Sequence, residues 1–184
     1  MPLSPRRVAP ILIACLSLSA AAYAAEGSTT PIVQTAASTA EAPPLANDVA
    51  AEREIRTVVE AFRAAIVAGD SDALRALFLP GSQAWLSVRD DADLARARER
   101  DPAASRLVPG SYDEFARLIA NRRQEEVFTG IQIRTDGLVA VVVFDFVYRH
   151  DGKAVNRGLE TWQLAKTDDG WKIVSLTYSS HHRS

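Results

Sequence analysis

The sequence is poor in the residues that most often carry chemistry. It has one cysteine, one methionine and three histidines in 184 residues. The cysteine, Cys15, stands near the N-terminus; if the chain is cut after Ala24, the mature protein has none. That excludes disulfides, a thiol nucleophile and thiolate metal sites together. His150 falls at a turn, and His181 and His182 fall in the last four residues. They lack the spacing and supporting carboxylates of a zinc site, so neither a metal nor a cofactor is expected. Ser82, Ser179 and Ser180 have no neighbouring base, which leaves no serine nucleophile. The net charge of -2 gives no basic footprint for nucleic acid and no acidic tail.

What is present divides the chain into three parts. Residues 1–24 have the form of a signal peptide. Arg6 and Arg7 make a basic start, Val8 to Ala22 an apolar or small-residue run, and Ala22-Tyr23-Ala24 an A-x-A cleavage site. The run contains Pro10 and is short for a bilayer span of roughly 20 residues, so no membrane span is expected. This predicts a periplasmic or secreted protein. A second reading stays open: Leu12-Ile13-Ala14-Cys15 is similar to a lipobox, and acylation of Cys15 would anchor the protein to a membrane. Residues 25–47 are rich in Ala, Thr, Ser and Pro and read as a disordered linker. Residues 48–184 hold nearly all the aromatics and form the folded domain.

In the domain, Asn47 or Asp48 caps a helix running to about Ala68, with Ile55, Val58, Val59, Phe62 and Ile66 on one stripe. Asp70 or Ser71 caps a short second helix that buries Leu74, Leu77 and Phe78. Gln83 to Arg89 is a short strand. Asp90 to Gly110 reads as a charged surface segment with a helical turn or two, or as a lid. Ser111 and Glu114 form a capping box for a helix burying Tyr112, Phe115, Leu118 and Ile119. From Val127 to Ser180, Asp136-Gly137, Asp151-Gly152 and Asp169-Gly170 punctuate four alternating strands of an antiparallel meander.

Two-residue loops at the first two turns fix a register. They put Ala140 opposite Ile133 and Phe144 opposite both Thr129 and Leu159. The inner face then collects Val127, Thr129, Ile131, Ile133, Ala140, Val142, Phe144, Phe146, Tyr148, Val155, Arg157, Leu159, Thr161 and Gln163, joined by Val174, Leu176 and Tyr178. Five of these, Tyr148, Arg157, Thr161, Gln163 and Tyr178, bring polar groups to an apolar face and make a candidate ligand pocket. Arg157 either contacts the ligand or pairs with a carboxylate of the first helix. The outer face collects Phe128, Val139, Val141, Val143, Asp145, Val147, Glu160, Trp162 and Leu164. Its apolar content predicts a homodimer. Asp145 and Glu160 lie diagonally across two strands there, an alternative acid–base pair.

The order of these elements resembles the NTF2-like superfamily. Thr161-Trp162-Gln163-Leu164 and Asp169-Gly170-Trp171-Lys172-Ile173-Val174 are similar to the terminal hairpin of its SnoaL-like and DUF4440-type branch. The resemblance implies an α+β cone: a curved antiparallel sheet wrapped around the N-terminal helices, a pocket at the wide end, and frequent dimers through the sheet. Its members include isomerases, dehydratases, cyclases and non-catalytic binding or assembly domains. This chain departs from many of them in having Ser175, Thr177 and Tyr178 in the last strand where histidines often stand. The expectation is an exported domain that binds a small, largely apolar ligand or a partner in its cone. The alternatives are an isomerase or dehydratase using a carboxylate base, and an assembly domain with a closed cone.

Overall fold

A computed structural model of the chain describes residues 43–81, 84–121 and 123–182. The segment expected to be an export signal, with Cys15, and most of the expected linker lie outside the described residues. Four helices and six strands follow in the order α1 (Val49–Ala68), α2 (Ser71–Ala76), β1 (Ala84–Arg89), α3 (Asp91–Arg100), β2 (Leu107–Gly110), α4 (Tyr112–Ile119), β3 (Gln124–Thr135), β4 (Val139–His150), β5 (Lys153–Thr167) and β6 (Gly170–Ser180).

Side-chain oxygens start every helix by taking up first-turn N–H groups that have no partner inside it. Asp48 accepts from Ala50 and Ala51 at 2.9 Å. Asp70 accepts from Ala73, Asp90 from Asp93, and Ser111 from Glu114. The segment expected as charged surface contains all of α3 and the edge strand β2. Pro109 is tolerated in β2 because an edge strand has one side free of the ladder.

The sheet runs in the order β2-β1-β6-β5-β4-β3. All neighbours are antiparallel except β1 and β6, which pair in parallel. The sheet curves around α1 to form a cone. Ile55, Val59, Phe62 and Ile66 of α1 are buried with Val142, Phe144, Trp162, Leu164, Ile173 and Leu176 of the sheet. Phe62 and Phe144 approach the Trp162 ring at 4.8 and 5.1 Å between centroids, and Phe144 meets it edge-on.

The register differs from expectation in four places. In β3 the pairing shifts between Thr129 and Gln132, where Gly130 has φ +66°. A left-handed residue inside a strand is a bulge, and glycine adopts it without a Cβ clash. On its N-terminal side the alternation is reversed: Gln124, Glu126 and Phe128 are buried, while Thr129 is exposed. In the second hairpin His150 pairs with Lys153 across the two-residue turn, but Tyr148 pairs with Asn156, so Val155 is an extra residue in β5. Phe144 therefore faces Glu160, not Leu159. From there Glu160, Trp162 and Leu164 point inward, and Arg157, Leu159 and Gln163 are exposed. A third shift makes Val174 the extra residue of β6. In the first hairpin four residues separate the paired Thr135 and Ala140, so Ala140 faces Thr135 instead of Ile133. Leu118, expected to be buried, is 49% exposed; Ala116 and Ile119 are the buried residues of α4.

Phe144 keeps its expected place, 1% exposed and 4.2 Å from the Phe128 ring. Phe144→Ala should cost about 3–5 kcal/mol in urea unfolding, because the surrounding rings cannot collapse into the space. A loss below about 1 kcal/mol, the usual surface range, would contradict this packing.

Candidate functional site

The reversed strands bring two carboxyl groups to the concave side of the sheet, where both line one cavity. Glu126 of β3 stands opposite Tyr148 of β4, and Glu160 of β5 stands opposite Tyr178 of β6. Asn156 follows on β5, opposite Tyr148. Phe62 of α1, Trp85 of β1, Phe115 and Leu118 of α4, Phe146 and Val155 complete the wall of a cavity of about 220 Å³. His182, just past β6, stands at its rim.

Glu126 and Glu160 are 6% and 4% exposed. Trp162 donates its indole N–H to Glu160 Oε1 at 2.5 Å. Removal from water still dominates and pushes the Glu160 carboxyl up to about 8, with the tryptophan bond opposing. Glu126 has no hydrogen-bond partner among the described residues. Burial raises its pKa well above the carboxylate range, and the nearby Glu160 charge adds to the rise. Burial likewise raises the phenols of Tyr148 and Tyr178. The Tyr148 hydroxyl is buried without a partner among the described residues.

At the rim, His182 Nδ1 lies 2.5 Å from Oδ2 of Asp93. Burial favours a proton on Asp93, but hydrogen bonds from His182 and Arg96 outweigh it and hold the group below its usual value. Beside it, His181 Nδ1 lies 3.0 Å from Asp90 Oδ2. Asn156 Oδ1 accepts from the His181 backbone at 3.0 Å. The chain after β6 is thus held between α3 and β5.

Of the residues expected to line a pocket, Tyr148 and Tyr178 do so. Arg157, Thr161 and Gln163 do not, because the extra residue at Val155 turns them to the convex side. Arg157 shares a shallow outer cleft with Asp145 and His181. Thr161 donates to the Thr177 carbonyl at 3.3 Å, and exposed Gln163 accepts from Ser175. The expected pairing of Asp145 with Glu160 is corrected: the sheet lies between them, with Asp145 exposed opposite Leu159 and Glu160 inside. The carboxyl that joins Glu160 in the cavity is Glu126. Its signal in the sequence is Gly130, a glycine interrupting a strand pattern, which marks a bulge. His182 had no such signal, since its partner Asp93 lies 89 residues away. Among the described residues no three of His, Cys, Asp and Glu converge as metal ligands, and no helix is long and apolar enough to cross a membrane.

No protein-family model matches the sequence, and no curated protein matches it. Solved structures do match its shape. An NTF2-like protein of unknown function from Shewanella baltica OS155 superposes with a TM-score of 0.53 at 18% identity, over 75% of this chain and 99% of that one. The chain has the NTF2-like fold. A second NTF2-like protein of unknown function, from Pseudomonas putida KT2440, gives a TM-score of 0.54 at 12% identity, over 73% and 89% of the two chains. An NTF2-like protein with a cystatin-like fold from Novosphingobium aromaticivorans gives 0.51 at 15% identity, over 73% and 84%. At these identities the likeness concerns the NTF2-like fold alone.

The buried acids give stability a definite pH dependence. Unfolded, Glu126 and Glu160 titrate near 4.5; folded, they keep their protons to higher pH. Between those limits the unfolded chain binds fewer protons, so stability falls as pH rises from about 5 to 8. The combined Glu126→Gln, Glu160→Gln variant should gain stability over the wild type at pH 8, on the order of a few kcal/mol. The gain should shrink toward pH 5. Thermal melts followed by circular dichroism across this range check it; parallel curves for the two proteins would refute the assignment.

Proposed function

We propose that the domain binds a small, largely apolar molecule in its cone and carries out proton transfer on it, as isomerases and dehydratases do. One observation carries this reading: two buried carboxyl groups face one aromatic cavity beside an unpartnered tyrosine hydroxyl. A carboxyl raised to about 8 is suited to general acid–base work near neutral pH. Protonated Glu160 can donate to a departing hydroxyl or a carbonyl oxygen, and ionised Glu160 can take a proton from carbon. Glu126 and the Tyr148 hydroxyl stand beside it to hold the oxygen on which charge develops. An open cavity lined by polar groups weighs against an assembly domain with a closed cone.

The basic start, apolar run and A-x-A site support export to the periplasm or beyond, with Cys15 acylation as the alternative address. The terminal hairpin, from Thr161 to Val174, supports placement near the SnoaL-like and DUF4440-type branch. Leu138, Val139, Val141 and Leu159 are each at least 45% exposed on or beside the convex face, which supports pairing of two copies there.

Native mass spectrometry of protein purified from its own host tests the binding. A copurified small molecule is expected, released on denaturation and absent from Leu118→Trp, which puts an indole at the mouth. No adduct, together with no uptake of a fluorescent naphthalene dye, would sink the binding reading. Sedimentation velocity tests the pairing: the wild type should run as a dimer and Val141→Lys as a monomer. A monomeric wild type at micromolar concentration would refute it.

A further inference from the structure

The charge balance of the cavity points to a class of ligand. Two acids line it, yet among the described residues no Lys or Arg does. Arg63 of α1 shares an outer cleft with Glu126 but binds Glu60 at 2.8 Å. His182 at the rim is bound to Asp93. Glu126 is 6% exposed and takes no hydrogen bond among the described residues, although it faces the cavity. An acid pair buried without a countercharge is costly to the fold and marks a place where a ligand acts. The surrounding rings are Phe62, Trp85, Phe115, Phe146, Tyr148 and Tyr178. Rings attract a cation over their faces through the quadrupole of the π system. Acids with rings around them and no protein cation are complementary to one kind of small molecule.

We infer that the cavity takes a small organic cation, a protonated amine with an apolar body, held by the Glu126–Glu160 pair and the surrounding ring faces. The inference rests on the reading of this cavity as a small-molecule site and adds the substrate class. The unpartnered Tyr148 hydroxyl can accept an ammonium N–H. The apolar body fills the space against Phe115, Phe146 and Val155. In the free protein the two acids hold their protons because burial disfavours their charge. The amine arrives already protonated, so its binding expels a proton from the pair to solvent and leaves a neutral ion pair. The groups facing the pair are Tyr148 from β4, Tyr178 from β6 and His182 with Asp93 at the rim; α4 and β1 contribute no titrating side chain to the wall.

Isothermal titration calorimetry on the purified protein with three matched probes tests this. They are 2-phenylethylamine as cation, 2-phenylethanol as its neutral counterpart, and 3-phenylpropionate as anion. At pH 7.5 the amine should bind at least about tenfold tighter than the alcohol, and the anion weakest of the three. Amine affinity should fall about tenfold per unit as pH is lowered from 7.5 to 6, the slope for one proton released. The binding heat should vary with the ionisation enthalpy of the buffer. In the Glu126→Gln, Glu160→Gln variant, shown folded by its cooperative melt, the preference for the amine should disappear. Binding of the alcohol as tightly as the amine would overturn the cation assignment and leave the small-molecule site standing. A preference that persists in the double variant would also overturn it, by locating the selecting charge elsewhere. Failure of all three probes to bind would remove both readings.

Discussion

The indole of Trp162 is the joint between the core and the cavity. Its ring is fully buried between Phe62 of α1 and Phe144 of β4, and its one polar atom donates to Glu160. A buried tryptophan needs an acceptor for its N–H, and a buried carboxyl needs a donor. Each supplies the other, so neither can leave the interior alone. Residues two apart on a strand share a face, so fixing Trp162 in the core also fixes Glu160 on the concave side. The same parity turns Arg157, Thr161 and Gln163 outward.

That parity depends on two inserted residues. The bulge at Gly130 reverses the start of β3 and brings Glu126 and Phe128 inside; the extra Val155 reverses β5 and brings Glu160 and Trp162 inside. A single bulge would leave one acid in the cavity and the other in solvent. Both together put two acids in the wall of one cavity that no Lys or Arg lines among the described residues. The raised pKa values follow from that placement: burial takes both acids out of water, and the Trp162 hydrogen bond to Glu160 offsets only part of the effect.

The sequence disclosed the helices well, because their signals are local. Asp48, Asp70 and Ser111 cap where their side chains announce it, and the stripe from Ile55 to Ile66 is the core face of α1. The turn at Asp151-Gly152 was equally legible, and His150 does pair with Lys153. Face assignment failed two residues further on, since nothing about Val155 distinguishes an inserted valine from a paired one. Gly130 did carry a warning, but Thr129-Gly130-Ile131 fits an unbroken alternation just as well. The aromatic row Phe144, Phe146 and Tyr148 survived because it lies on β4, which runs between the two disturbances. The contacts of His181 and His182 with α3 are non-local, so no stretch of sequence contains them.

Pairing between β1 and β6 also constrains how the domain is assembled. The two strands are adjacent in the sheet, yet α3, α4 and three long strands lie between them in the chain. The β2-β1 wing, which carries Trp85, has no other neighbour in the sheet. Its place in the sheet therefore depends on a pairing that spans α3, α4 and the long hairpins. Closing so long a loop is slow relative to forming hairpins. The Trp85 ring in the cavity wall is thus held by a strand whose one long-range sheet neighbour is β6, so the wall of the cavity is joined across nearly the whole length of the domain.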